Sequence, residues 1–138
     1  MIIGIGIDLI SNDRIKKILK KFDKNFKEKI FSKNELIDFD NRHKDQEKLT
    51  QNAINFFAKR FASKEAFSKA LGIGIGRGID FNDIEIFNDK FGKPFIRILN
   101  NKEVKIQEIL NCKKYIIHLT ISDEKSVSGA VVIIEKVL

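Results

Sequence analysis

Apolar residues in the first third of the chain follow two different spacings. Residues 2–7 are almost continuously apolar, which predicts a short buried strand containing two glycines. Apolar residues then recur every three or four positions, which predicts a helix that begins at Ser11 or Asn12, where a side-chain oxygen can accept from a free backbone amide. Lysines fall on the other sides of this helix, whose apolar stripe comprises Ile15, Ile18, Leu19 and Phe22.

The middle of the chain has mainly helical spacing. Residues 26–31 and 33–39 predict two short helices with Ser32 as a cap between them, and the polar stretch 40–51 predicts a loop or a frayed helix. A longer helix follows from about Thr50 to Leu71, and Gly72 can end it with positive φ. Small alanines in its apolar face suit close packing; that face comprises Ala53, Ile54, Phe57, Ala58, Phe61, Ala62, Ala66 and Ala70.

Strand-like patterns dominate the second half. A glycine-rich loop at 72–78 leads to alternating positions around Ile84 and Ile86. The remaining pattern gives a turn at 88–93, a strand at 95–98, a helix from Asn100 or Asn101 to about Leu110, and a hairpin of 115–122 with 127–137. We therefore predict a single α+β domain over 1–138, with helices of the first half packed on a mainly antiparallel sheet.

Composition narrows the class of protein. Apolar residues make up 43% and charged residues 33% of the 138 residues, which argues against disorder. The only cysteine is Cys112, so neither an intramolecular disulfide nor a thiolate zinc site is possible, and a reducing, cytoplasmic setting is expected. No apolar run approaches the roughly 18 residues of a membrane span, and the apolar start lacks the basic leader of a signal peptide.

The positive charge is concentrated in one segment. Residues 13–33 hold nine basic and three acidic residues, a balance of +6 in a chain whose net charge is +7. This localisation favours a docking surface for an acidic partner, whether nucleic acid, an anionic surface, an acidic protein or a phosphorylated ligand. Coding bias toward lysine is the competing explanation.

Two acids and a set of cations are candidates for chemistry. Asp8 follows an apolar run, where an acid serves either as a cap for the next helix or as a ligand for a hard cation. Glu65 and Lys69 lie four residues apart, as do Arg60 and Lys64, which is the spacing of ordinary surface ion pairs. The alternative is that Glu65 shares Mg²⁺ with Asp8 while the cations bind phosphates, and the spacing alone does not choose between them.

Several common catalytic motifs are missing. The run GIGIDLI lacks the third glycine of a dinucleotide fingerprint, the 72–78 loop follows a helix rather than a strand, and no G-x-x-x-x-G-K-[ST] loop occurs. The chain therefore does not have the pattern of a Rossmann protein or a nucleoside triphosphatase. The strand residue His118 and the isolated Cys112 are better explained as structural, and the serines at 122, 126 and 128 lie outside any G-x-S-x-G motif.

Taken together, five motifs resemble those of the holo-acyl-carrier-protein synthase family, the small bacterial type of 4'-phosphopantetheinyl transferase. They occur in the family's order and cover almost the whole chain: GIGIDLISNDRI at 4–15, RFASKEAFSKALGIGIG at 60–76, DIEI at 83–86, GKP at 92–94 and HLTISDE at 118–124. The resemblance implies Mg²⁺-dependent transfer of 4'-phosphopantetheine from coenzyme A to a serine of apo-acyl carrier protein, in the service of fatty acid biosynthesis. It also implies a homotrimer with active sites between subunits.

The resemblance assigns roles by position. Asp8 and Glu65 would bind Mg²⁺ and, with Lys69, form the catalytic group. Either Glu65 or a metal-bound water would accept the serine proton. The basic helix would dock on the acidic carrier protein through Arg14, Lys17 and Lys21. Coenzyme A would be bound by Arg60, Lys64, Lys69, Gly72 and Gly74.

One departure from the family pattern and one competing function stand beside these expectations. Residues 122–124 read S-D-E where many members have S-H-E, so Asp123 removes histidine as a candidate at that position. The competing function is a basic nucleic-acid-binding module that uses the helix on phosphates. Against it, aromatic residues are sparse there, since Phe22, Phe26 and Phe31 fit a core stripe as well; neither nucleic acid nor a membrane is expected as a partner.

Overall fold

The elements of the fold are known from a computed structural model that describes residues 1–44 and 48–138. A 3₁₀ turn at Phe81–Asp83 precedes the second strand. In chain order the strands and helices are β1 (Ile2–Ser11), α1 (Asn12–Ile30), α2 (Lys33–Arg42), α3 (Gln51–Leu71), β2 (Ile84–Asn88), β3 (Pro94–Ile98), α4 (Glu103–Leu110), β4 (Tyr115–Asp123) and β5 (Val127–Lys136).

Two antiparallel sheets form the β part of the molecule. The larger sheet has the order β1-β5-β4, and β2 pairs with β3 in a separate ribbon. β5 therefore lies between the first strand and its own hairpin partner, with Asp8 opposite Ala130 on one side and Ile121 opposite Ala130 on the other. The predicted α+β class, with helices packed on an antiparallel sheet, is confirmed.

Helix α3 lies directly on the larger sheet because two glycines of β1 remove side chains from the contact. A Cβ added at Gly6 would stand 2.0 Å from the carbonyl oxygen of Ala66, and one at Gly4 would stand 2.3 Å from that of Ala70. These distances are far shorter than any real contact of a Cβ, so only glycine permits this approach. The pair of glycines thus sets the distance between β1 and α3.

The ends of α3 follow ordinary capping chemistry. The Thr50 hydroxyl accepts from the backbone amide of Ala53 at 3.1 Å, and Gly72 ends the helix in the left-handed conformation with φ of 79°. The predicted helix over 50–71 and its glycine stop are confirmed. Most of its predicted apolar face is buried, with Phe57, Ala58, Ala62 and Ala66 fully inaccessible.

The predicted boundaries are wrong at the first strand and in the basic segment. β1 continues to Ser11 because it pairs with β5 along its length, so Asp8 lies within the strand rather than after it. The separate helix predicted at 26–31 is the end of α1, and Phe22 leaves the helical conformation (φ −133°, ψ 36°) and is half exposed instead of joining the buried stripe.

Two other boundaries also differ. α4 begins at Glu103, because Asn100 and Asn101 both adopt positive φ in the preceding turn. α2 extends to Arg42, beyond the predicted end at 39 and into the predicted loop at 40–51, of which residues 45–47 lie outside the described part of the chain. Among the residues that are described, no helix has the length and apolar character that crossing a membrane requires.

Candidate active site

The two candidate metal-binding acids, Asp8 and Glu65, come from β1 and α3. These two elements meet where Gly4 and Gly6 of β1 approach the backbone of α3, a contact called the glycine contact below. Side chains of β1 alternate between its faces, so Asp8 points to the same side as Gly4 and Gly6, toward α3. On α3, Lys69 reaches back to the strand: its ammonium donates to the Ile7 carbonyl at 2.9 Å and lies 3.2 Å from Oδ1 of Asp8. Glu65 lies one turn earlier on the same helix, so the acids and Lys69 form one group.

The electrostatics of Glu65 support this proximity. Partial burial raises the pKa of the Glu65 carboxyl, and the negative charge of Asp8 raises it further. The cations Lys69 and Arg14 act in the opposite direction. Glu65 is therefore in electrostatic contact with the first strand and with the basic helix α1 at once.

A pair of carboxylates of this kind fits a magnesium ion. Mg²⁺ is usually held by one or two carboxylates, with waters and substrate phosphates completing the octahedron. Across residues 1–44 and 48–138, no group of three or more His, Cys, Asp or Glu side chains is arranged to hold a metal alone. Asp8 and Glu65 are thus suited to a metal that is shared with a phosphate-bearing substrate.

A cavity of about 690 Å³ opens beside Glu65. Its wall includes Ser68 from α3, Lys29 from the end of α1 and the glycine-rich loop, where Gly74 and Gly76 expose backbone. Gly74, a predicted coenzyme-binding residue, is therefore placed at the site. Gly72 lies outside this lining as the cap of α3, and its predicted contact stays a prediction.

Arg60 lines a second cavity, of about 420 Å³, on another side of α3. Its guanidinium stacks on Phe56, with the ring centre 3.5 Å away, and donates to Asn88 at 3.1 Å. Burial lowers the pKa of Arg60 to about 10, although the charges of Glu35 and Asp38 oppose that shift, so it is a cation at neutral pH. Its Nε is buried and has no hydrogen-bond partner among the described residues.

Lys64 is placed differently from the prediction. Its side chain is fully buried, and its ammonium donates to Glu35 and to the Ile30 carbonyl, each at 2.6 Å. Neither cavity is lined by Lys64. The predicted coenzyme contact of Lys64 is therefore wrong in this structure, because an i to i+4 spacing with Arg60 does not bring both cations to the same opening.

The predicted docking residues lie on the exposed side of α1. Arg14, Lys17 and Lys21 are all exposed, and Lys17 forms an ion pair with Asp13 at 2.9 Å. Phe26 and Phe31 pack against each other with ring centres 5.5 Å apart, and Phe31 is buried. Those two rings pack against other side chains, whereas a surface on which bases stack needs exposed aromatic rings.

Asp123, the position that departs from the family pattern, lines the Arg60 cavity. Its Oδ2 accepts from Nδ2 of Asn55 at 2.9 Å and lies 4.0 Å from the Lys59 ammonium. A carboxylate at this position thus holds an amide and a cation at the cavity wall.

Sequence reasoning missed the residues whose roles depend on folding. Ser68 lies three residues after Glu65, and this helical spacing could have identified it. Asp80, Phe81 and Asn82 line the larger cavity from a segment with no motif to single them out. Glu35 is the partner of Lys64, and the spacing Ser32-x-x-Glu35, which forms a capping box, was the available signal.

A protein-family model matches most of this chain. The model described as "4'-phosphopantetheinyl transferase superfamily" matches residues 4–125. Among curated proteins, the holo-[acyl-carrier-protein] synthase of Buchnera aphidicola subsp. Schizaphis graminum is 47% identical over 135 residues, 98% of each chain. That of Pelagibacter ubique is 38% identical over 135 residues, again 98% of each.

Solved structures agree in fold. The holo-[acyl-carrier-protein] synthase of Neisseria meningitidis is 37% identical, with a TM-score of 0.82 over 99% of this chain and 100% of that one. The Bacillus anthracis enzyme, in complex with CoA (3',5'-ADP), is 37% identical, with a TM-score of 0.78 over 99% of both chains. The Helicobacter pylori enzyme, in complex with coenzyme A, is 31% identical, with a TM-score of 0.74 over 95% of this chain and 99% of that one.

Proposed function

The chain belongs to the 4'-phosphopantetheinyl transferase superfamily, and on this premise we propose that it moves 4'-phosphopantetheine from coenzyme A to a serine of apo-acyl carrier protein. The products are holo-acyl carrier protein and adenosine 3',5'-bisphosphate. The observation that carries the proposal is the meeting of Asp8, Glu65 and Lys69 beside a cavity walled by the glycine-rich loop.

Mg²⁺ is the metal that the two carboxylates suit. When bound, it neutralises charge on the phosphates of coenzyme A and stabilises the leaving group. Asp8 and Glu65 would hold it, because the negative charge of Asp8 raises the cost of ionising Glu65, and a shared cation offsets that repulsion. The ammonium of Lys69, already 3.2 Å from Asp8, supplies a second positive charge for the phosphate oxygens.

The reaction is chiefly one of positioning and charge neutralisation. The serine oxygen bonds to the phosphorus that carries pantetheine, the pyrophosphate bond breaks, and adenosine 3',5'-bisphosphate leaves with the electron pair. Glu65, whose side chain lines the cavity, is the group that we propose to accept the serine proton.

Coenzyme A binding uses residues from both cavities. Gly74 lies at the cavity beside Glu65, with Lys69 one helical turn after Glu65 on α3, while Arg60 provides a cation in the wall of the other cavity. We assign the phosphate-bearing adenosine end of coenzyme A to the Arg60 cavity. The two cavities share no lining residue, and we propose that a neighbouring subunit brings one of each together in every active site.

The outer face of the large sheet supports a homotrimer. Ile5, Ile7 and Leu9 are 66%, 57% and 69% exposed, and they stand beside Val131 and Ile133 of β5 in the strand register. An apolar patch that is contiguous on a sheet face marks an interface. Burying it between copies is consistent with active sites that form between subunits.

The acidic carrier protein docks on α1 through Arg14, Lys17 and Lys21. Attraction between this helix and an acidic surface raises the association rate and weakens as salt increases. Arg14 also acts electrostatically on Glu65, which supports a docking surface next to the catalytic group. We further propose that the protein works as a single domain over 1–138, in the cytoplasm, for fatty acid biosynthesis.

The decisive experiment follows carrier-protein mass. Wild-type protein with Mg²⁺, coenzyme A and apo-acyl carrier protein is expected to give a mass gain of one phosphopantetheinyl group. Glu65→Gln keeps the size of the side chain but removes the charge, so the rate is expected to fall by roughly 10²-fold or more. Glu108→Gln, which neutralises an exposed acid on α4, is the control and keeps the wild-type rate.

Two results would count against this assignment. Absence of any mass gain with the wild-type protein contradicts the proposed activity. Full transfer by Glu65→Gln leaves the activity in place and contradicts the role given to Glu65.

A further inference from the structure

Lys64 and Glu35 form a fully buried ion pair directly next to the catalytic group. Their side chains have no exposed surface, and Nζ of Lys64 lies 2.6 Å from Oε1 of Glu35. Neither residue lines the cavity beside Glu65 or the Arg60 cavity, to which we assign coenzyme A. Yet Lys64 immediately precedes Glu65 on α3.

The pair ties α3 to three other elements. Lys64 also donates to the Ile30 carbonyl at the end of α1, and its ammonium lies 5.1 Å from the centre of the Phe31 ring. Glu35, in the first turn of α2, accepts from the Ser32 amide at 2.9 Å and from the Ile86 amide of β2 at 3.2 Å. The head groups of the two side chains are therefore anchored by backbone from α1, α2 and β2.

The glycine contact holds the opposite side of α3. Successive residues of an α-helix are about 100° apart, so Lys64 and Ala66 leave the helix about 200° apart and Glu65 stands between them. Ala66 is the residue whose carbonyl occupies the space above Gly6 of β1. The helix is thus held on one side by the ion pair and on the other by the strand that carries Asp8.

A buried ion pair is a poor device for stability but a good one for specificity of geometry. Replacing such a pair by well-packed apolar residues is often neutral or stabilising, because desolvating two charges offsets their attraction. Apolar contacts have little directional preference, whereas the hydrogen bonds that Lys64 donates at 2.6 Å depend on angle as well as on distance. Misplacement of a catalytic group by about 1 Å can reduce a rate about 10²-fold.

We propose that the buried Lys64–Glu35 pair positions Glu65: it sets the rotation of α3 so that the Glu65 carboxylate faces Asp8 across the glycine contact. This inference rests on the proposed function, because that function gives Glu65 its role. The placement of the Glu65 carboxylate relative to Asp8, however, does not depend on which substrate is bound. Lys64 and Glu35 are positioning residues, not catalytic ones.

The test removes both charges together, because removing one would leave the other buried without a partner. In the double variant Lys64→Met with Glu35→Gln, kcat is expected to fall about tenfold to 10²-fold, while the KM values for coenzyme A and carrier protein change less than about threefold. Lys64→Gln with Glu35→Gln also removes both charges but keeps polar head groups that can hydrogen-bond to each other, and it is expected to lower kcat in the same direction by a smaller factor. It serves as the second variant if the double variant does not fold.

The matched control is Phe57→Leu, two turns before Glu65 on α3. Phe57 is fully buried and packs on Phe31, whereas Lys64 donates its hydrogen bonds to Glu35 and Ile30, so the substitution lowers stability and leaves those hydrogen bonds in place. It is expected to lower Tm yet leave kcat at the wild-type value under conditions in which the protein is folded. If Lys64 only stabilises the fold, the double variant will also have a lowered Tm and a wild-type kcat. That result would overturn the inference.

A second readout does not need transfer activity. Binding of Mn²⁺, as a paramagnetic probe of the Asp8–Glu65 pair, is followed by loss of the free-ion signal in electron paramagnetic resonance. The double variant is expected to bind Mn²⁺ about tenfold more weakly than wild type and Phe57→Leu, because its two carboxylates no longer converge. Equal Mn²⁺ affinity in the folded variants overturns the positioning role, whereas Mn²⁺ binding by a wild type that transfers nothing overturns only the proposed function.

Discussion

Gly6 determines, at the scale of a single residue, where Asp8 stands. The absence of a side chain lets the Ala66 carbonyl occupy the position that a Cβ would need. Because β1 side chains alternate, Gly6 and Asp8 share a face, and the close approach of α3 at Gly6 brings Glu65 within electrostatic reach of Asp8. A residue without functional groups therefore controls the separation of two functional acids.

Gly6→Ala tests this control. The added Cβ would stand 2.0 Å from one backbone atom and 2.7 Å from another, so β1 and α3 must separate. We expect a loss of about 1–3 kcal/mol in the free energy of unfolding, as for other overpacked sites. Urea unfolding followed by circular dichroism measures it.

Gly74→Ala is the control for Gly6→Ala. An added Cβ there meets no atom within 4 Å, and Gly74 is not among the glycines with positive φ. Its unfolding free energy should stay within about 0.5 kcal/mol of wild type. An unchanged stability of Gly6→Ala would show that the strand and helix are not in close contact.

At the scale of an element, most of the net positive charge of the chain lies on and just after helix α1. The helix is bent at Phe22, and Ile15 and Leu19 bury its inner side against the core. Its cations lie on the exposed side, where Lys17 forms an ion pair with Asp13 and the Lys21 ammonium lies 5.2 Å from the centre of the Phe22 ring. The basic surface thus follows from the amphipathic spacing of one helix.

Lys21→Glu tests carrier-protein docking without touching the catalytic group. Arg14 is less suitable because its charge acts on Glu65. The Lys21 variant is expected to raise the KM for carrier protein about threefold to tenfold, leave that for coenzyme A unchanged, and make the rate less sensitive to salt. Steady-state kinetics at two ionic strengths measures these effects.

Lys113→Glu makes the same change in net charge outside α1, at an exposed position between α4 and β4. It is expected to behave as wild type. If both variants weaken carrier-protein binding equally, the interaction depends on net charge and not on the helix.

The whole molecule presents an apolar sheet face that the fold of one chain leaves uncovered. β1 and β5 bury one side under α3 and expose Ile5, Ile7 and Leu9 on the other. The Arg60 cavity and the Asp8–Glu65 pair are separate in one chain, so the proposed trimer joins two features that folding alone leaves apart. Assembly and activity should therefore be lost together.

Ile5→Glu places a charge in the centre of this face, opposite Ile133 in the register. Burying that charge between subunits is unfavourable, so we expect the mass in solution to shift from trimer to monomer, with a loss of transfer activity. Light scattering coupled to size exclusion gives the mass. Val104→Glu, at another exposed apolar residue on α4, should remain a trimer, and a trimeric, active Ile5→Glu would contradict the interface.

The pattern of residues along the chain determined much of the fold and the family. Apolar spacing predicted α3, the β4–β5 hairpin and the α+β class, because amphipathic periodicity reports directly which side of an element is buried. The motifs around Asp8 and Glu65 predicted the family, which the family model and the curated relatives confirm. The basic segment predicted an exposed cationic helix.

Tertiary structure alone decided how the cations are used. Arg60, Lys64 and Lys69 look equivalent in the sequence, yet one lines a cavity, one is buried against Glu35 and one meets Asp8. The environment of each depends on which elements pack on that side of α3, and those contacts join residues far apart in the chain. Helical spacing specifies the direction in which a side chain leaves its helix, whereas the partner it meets is set by packing.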